Sequence, residues 1–309
     1  MAERFRKLKD SVKRLRNRHT GEDDDDLVTH RLIFDLQRNN IFTYKDWLTR
    51  YPQDAELFES VAPALLEEAR KLYCSYGLSQ TINFNLQGFE LSSQRDLRAM
   101  LEAEGYNAPV AIYAIYLWMS AMSISRLCHY TNTLYVVGEP SSAADIFTAS
   151  ILRLFQFVLT ANINAFDLGQ YARQQDLVKM LYFPCTAHCN TFKDPVANQL
   201  LKGRPFTTMT RDGLVDISEK KCLVRLYQLP HPEHLPTAPD EHIILRFYEP
   251  ANGCGFFLGE LSRYIHRIHQ LQADNDNDAL RALLCENKGM LCSRSWTSPC
   301  NACHSSHDI

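Results

Sequence analysis

The stretch AIYAIYLWMSAMSISRL, Ala111–Leu127, carries no acid and no base before Arg126, and its apolar residues go almost all the way round. A helix apolar on every side belongs inside a bundle, and the recurring Ala and Ser let neighbouring axes approach closely. Ser120, Ser123 and Ser125 interrupt it too often for a membrane span of about 20 apolar residues. Pro109–Arg173 as a whole then reads as a buried central helix, a hydrophobic helix-turn-helix and the entry to another helix. The rest of the chain is arranged around it.

Working outward, Glu56–Tyr76 predicts a helix with Leu65, Leu66, Ala69, Leu72 and Tyr73 inward and Glu67, Glu68, Arg70 and Lys71 outward. Pro63 falls in its first turns, where a missing N–H costs little. Leu27–Arg50 predicts two short helices, with Thr43 as N-cap before Tyr44. Ser79–Glu104 has two usable helix starts, and the turn Gly105–Pro109 ends it. Beyond Pro184 regularity weakens. Leu214–Ile217 and Cys222–Tyr227 are short enough for helix or strand, whereas Ile243–Tyr248 is strand-like. Phe256–Gln272 is helical again, and the Ser- and Cys-rich tail from Glu286 is expected to be mobile.

Composition bounds the functional classes. The chain has 309 residues, 45% apolar and 22% charged, enough for one large or two ordinary cores. A net charge of −3 hides an asymmetry, for Met1–Arg18 holds eight Lys or Arg and Glu22–Asp26 is a solid acidic run. The basic arm, through Lys13, Arg14, Arg16 and Arg18, reads as a solvated segment, as a nuclear-import or nucleic-acid patch, or, with Phe5, Leu8, Val12 and Leu15 at helical spacing, as a membrane-surface helix. No secretory signal is visible, so ten Cys are expected to be reduced thiols in a nuclear or cytosolic compartment.

Motifs for catalysis are lacking. No phosphate-cradling Gly loop, HExxH, GxSxG or kinase phrase occurs, and no enzyme activity, cofactor, small-molecule substrate, membrane or bound metal is expected. Cys300-Asn-Ala-Cys303-His304 spells a haem-attachment pattern without the export signal that chemistry needs. Together with Cys292 or His307 it could instead close a zinc tetrahedron, as could Cys185, His188 and Cys189. A zinc-stabilised nuclear nucleic-acid-binding protein is therefore the alternative class, although direct nucleic-acid contact is not the expectation. Pro230–Pro250 mixes acids with apolar residues, and Asp240, Glu241, Ile244 and Phe247 read either as an activation segment for transcription coactivators or as a buried strand with polar flanks.

Ser141–Gln174, SSAADIFTASILRLFQFVLTANINAFDLGQYARQ, resembles the centre of a cyclin box. Phe155-Gln-Phe157-Val-Leu159 stands where cyclins carry a Leu-x-Phe-x-Leu phrase, Thr160-Ala-Asn162 resembles the following cap, and Tyr76-Gly-Leu78-Ser79 resembles the turn between the first two helices. The chain looks most like the retroviral cyclins of the walleye dermal sarcoma virus group. The resemblance implies an all-α dominated fold, a cyclin-box helical bundle with a divergent, partly irregular second half. Its domains would be a charged arm over 1–26, the box with its preceding helix over 27–173, the divergent half over 174–285 and the tail over 286–309. It implies a non-enzymatic protein of the host nucleus, with some cytoplasmic protein, that binds a host cyclin-dependent kinase of the Mediator-associated type and modulates transcription and proliferation. The kinase would be met by Arg126, Asp145, Thr148 and Arg153. Thr148 replaces the Glu of the usual anchoring pair.

Overall fold

Thr133–Val137, the TLYVV between the two expected helices, is a β-strand at the heart of a parallel sheet. The computed structural model describes residues 22–85, 97–120, 131–184, 192–211, 213–229, 234–237, 241–250, 258–276 and 279. They belong to two compact units that divide between Tyr76 and Gly77.

The first unit is helical. Its elements are α1 (Glu22–Arg38), α2 (Tyr44–Arg50), α3 (Pro52–Leu57) and α4 (Ala62–Ser75). The acidic run expected to belong to a flexible arm opens α1. Thr43 caps α2 as expected, its hydroxyl oxygen accepting the Asp46 N–H at 3.1 Å. Leu65, Leu66, Ala69 and Tyr73 face inward from α4 with Pro63 in its first turn, but the expected helix is broken before Ala62. Arg70 ties α4 to the α1–α2 connection by donating Nε and Nη2 to the Phe42 carbonyl at 3.1 and 2.6 Å. The fully buried Trp47 stacks on Phe58 with ring centroids 6.2 Å apart.

The second unit is α/β, and this overturns the all-α, cyclin-box expectation. Its strands are β1 (Thr133–Val137), β2 (Val158–Thr160), β3 (Met180–Phe183), β4 (Phe206–Thr210), β5 (Gly213–Ile217), β6 (Cys222–Leu226) and β7 (His242–Arg246). Five of them form a parallel sheet in the order β2-β3-β6-β1-β7, while β4 and β5 pair as an antiparallel hairpin. The helices are α5 (Leu78–Asn85), α6 (Leu97–Ala103), α7 (Ala108–Met119), α8 (Ala143–Arg153), α9 (Leu168–Gln174), α10 (Pro195–Lys202) and α11 (Leu258–Ala273).

Alternation along the strands sorts side chains to two faces. Leu134, Val136, Leu223, Ile243 and Leu245 meet Ile115, Phe147, Ile151 and Ile265 from α7, α8 and α11 in one core. Tyr135, Val137, Val224, Leu226 and Ile244 meet Tyr171, Leu200 and Leu201 from α9 and α10 in the other. Each large side chain so buried is worth about 1.5–3 kcal/mol. A strand covered on both faces favours apolar residues at nearly every position, which is why β1 is apolar from Leu134 to Val137 and all five of its residues are buried.

Three details explain where the expectation failed. α7 is buried as expected, but it ends at Met119, with Ser120 Oγ donating back to the Tyr116 carbonyl at 2.7 Å, and it packs between the sheet and helices α6 and α11 rather than at the centre of an all-helical bundle. α8 stops at Arg153, and Phe157, expected in a long helix, takes φ +58° before β2 begins. The Phe157 carbonyl is held by the Lys179 N–H at 2.9 Å, which brings β3 alongside β2. Strands from both sides of residue 173 share the sheet, so the expected division there does not separate two domains. Gly203, at φ +69° after α10, closes that helix beside Asn132, whose amide donates to the Leu200 carbonyl at 2.9 Å and the Lys220 carbonyl at 3.1 Å.

Candidate functional site

In open parallel α/β sheets ligands bind beyond the carboxyl ends of the strands, where loops diverge. Here the carboxyl ends of β6, β1 and β7 gather Arg225, the β1–α8 turn from Gly138 to Asp145, and Phe247–Glu249. A strand followed by a tight turn and a helix is the setting of the phosphate-binding loop, G-x-x-x-x-G-K-[ST]. Gly138-Glu-Pro-Ser-Ser-Ala-Ala-Asp145 keeps the first glycine and the spacing. Ala143, Ala144 and Asp145 stand where the second glycine, the lysine and the hydroxyl residue would be.

Gly138 is required by close approach: a Cβ there would lie 2.5 Å from Ser142 Oγ and 2.6 Å from the Phe247 carbonyl oxygen. Ser142 caps α8, its hydroxyl oxygen accepting the Ala144 N–H. Four other turn donors are also engaged within the protein. Gly138 N–H donates to the Leu226 carbonyl at 3.0 Å, Ser142 N–H to the Glu139 carbonyl at 3.1 Å and Ala143 N–H to the Glu249 carbonyl at 3.0 Å. Ser141 N–H donates to Asp145 Oδ2 at 3.1 Å.

Asp145 thus supplies the anion that such a turn ordinarily takes from a ligand. Its Oδ1 accepts Nε and Nη2 of Arg225, each at 2.9 Å. The rest of that guanidinium is spent on carbonyls, with Nη1 donating to Gly138 O at 2.8 Å and to Leu226 O, and Nη2 to Glu139 O at 3.3 Å. The Arg225 side chain is 4% exposed and that of Asp145 49% exposed. One charged group therefore stitches β6, the turn and α8 together, with its carboxylate partner at the water boundary.

The strand leaving β7 is pinned against the same turn. Buried Glu104 accepts the Tyr248 N–H at 2.8 Å and the Glu249 N–H at 2.9 Å. Tyr106 Oη donates to the Arg246 carbonyl at 3.0 Å and accepts the Arg246 N–H at 2.6 Å. These contacts from the α6–α7 connection hold Glu249 where its carbonyl meets the first turn of α8.

The arrangement lacks the groups that clasp a magnesium nucleotide. There is no lysine for the phosphates, no hydroxyl at the end of the turn for the ion, and β3 ends in Phe183-Pro184 without an acid. An incoming phosphate would face the Asp145 carboxylate, and like charges held together cost several kcal/mol.

The structure distributes the expected site residues widely. Of the four expected kinase contacts, Asp145 is in the joint, Arg153 is exposed in the last turn of α8, and Thr148 is 3% exposed with no hydrogen-bond partner for its hydroxyl, so it is a core residue and not a surface contact. Arg126 lies outside the described residues, as do Lys13, Arg14, Arg16, Arg18, Asp240 and both Cys/His clusters. Glu241, Ile244 and Phe247 are not a solvated docking segment. Ile244 and Phe247 are core residues, and Glu241 precedes β7 with its carboxylate accepting Arg204 Nη2 at 2.9 Å and its carbonyl accepting the Asn132 N–H. The described cysteines, Cys74 and Cys222, are buried and in no disulfide, and burial pushes the Cys222 thiol up to about 12. Arg225 was missed, although a lone Arg inside CLVRL was a visible signal for a buried charge with a distant partner.

The protein ORF12 of fowl adenovirus A serotype 1 (strain CELO / Phelps), described as uncharacterized, is 99% identical over 210 residues, which are 68% of this chain and all of that protein. With an adenoviral relative and a parallel sheet, the retroviral cyclin resemblance does not stand. No protein-family model matches the chain. Solved structures of the JCV helicase, one with a bound inhibitor, align over 84% of this chain and 78–80% of theirs at 10–11% identity and a TM-score of 0.36. At that TM-score the likeness is not informative about function.

Proposed function

This chain belongs to the family of the fowl adenovirus ORF12 protein, and we propose that it is a viral regulatory protein that works by contact with other macromolecules and not by nucleotide chemistry. The observation that carries this reading is the joint at the β1–α8 turn. Donors that would hold a phosphate are spent on Asp145, on turn carbonyls and on the Glu249 carbonyl. The buried Arg225 bonds the Asp145 carboxylate and three carbonyls of the chain itself. A site so filled stabilises the fold instead of presenting groups to a substrate.

A host protein remains the expected partner class, with transcription or proliferation as the affected process. A cyclin-dependent kinase as that partner depends on cyclin geometry and loses its support with the parallel sheet.

The test is titration of the full chain with a fluorescent ATP analogue and magnesium, alongside a phosphate-release assay. No saturable binding up to about 1 mM is expected, the upper end of ordinary enzyme KM values. Saturation below about 100 μM accompanied by phosphate release would refute the proposal.

A further inference from the structure

We draw no further inference here: the strongest candidate, the exposed pair Met209 and Leu214 on the outer face of the β4–β5 hairpin, is an unpartnered apolar patch, and nothing in the structure shows what covers it.

Discussion

Replacing Asp145 by Ala tests the joint at its charged contact. The change removes the Oδ1 that receives two Arg225 bonds at 2.9 Å and the Oδ2 that receives the Ser141 N–H at 3.1 Å. Breaking a fully buried ion pair costs about 3–5 kcal/mol, because one charge is left uncompensated. Arg225 meets that condition at 4% exposure, but Asp145 is 49% exposed and water screens its half of the pair. The expected loss is therefore about 1–2 kcal/mol. In a unit of this size that lowers Tm by about 2–8 °C. Asp145→Asn keeps the shape and an acceptor and should cost less. Arg225→Met should cost the most, since it strips its donor from the Gly138 carbonyl, at about 1–3 kcal/mol if that group stays buried, and leaves the Asp145 carboxylate without its partner, while the Glu139 and Leu226 carbonyls keep the Ser142 and Gly138 N–H groups. Urea unfolding followed by circular dichroism gives all three values, and the Asp145→Ala/Arg225→Met double variant closes a cycle. Its loss should fall short of the sum of the singles by at least about 0.5 kcal/mol. Additive losses, or an Asp145→Ala variant as stable as the parent, would refute the joint.

Gly138→Ala should destabilise by about 1–3 kcal/mol in a thermal melt, because its Cβ meets the Phe247 backbone carbonyl, which has little room to yield. Burial lowers the Lys221 ammonium to about 8 from its ordinary 10.5, while it donates to the Thr131 carbonyl at 2.8 Å. The unfolded chain then binds more protons than the folded one between those values, so Lys221 makes stability rise with pH from about 8. Cys222, raised to about 12 from 9.0, acts in the opposite sense above 9.0, and the rise should be seen between the two onsets; Lys221→Met should abolish it in Tm measured across that interval. Changing Lys13, Arg14, Arg16 and Arg18 to Gln should reduce nuclear accumulation of a large fluorescent fusion, and unchanged accumulation would reject the import role.

Much of the local structure was legible in the residues. Pro63, the apolar stripe of α4 and the Thr43 cap act through neighbours a few positions away, so spacing alone identified them. The all-round apolar character of α7 correctly announced burial, though not what would bury it. Ile243–Tyr248 reads as strand-like and largely coincides with β7, whereas Cys222–Tyr227 suits helix or strand equally by its residues. That Ala144 and Asp145 stand where a phosphate-binding loop has its lysine and its hydroxyl residue could also be read directly, and bears on nucleotide chemistry whatever the fold.

What stayed hidden depends on pairing across long separations. Five consecutive buried residues suit a central parallel strand or a buried helix segment equally, and periodicity cannot divide them. Thr133–Val137 becomes a strand because Cys222–Leu226 and His242–Arg246 flank it in register and offer hydrogen bonds on both sides. Phe157 takes a left-handed conformation because Lys179 holds its carbonyl. Asp145, expected at a kinase interface, is instead bonded to an arginine 80 residues further on. Helical spacing is set by atoms within one turn, whereas a sheet and a buried ion pair are set by segments that meet only when the chain closes on itself, so their partners leave no mark at any fixed distance along it.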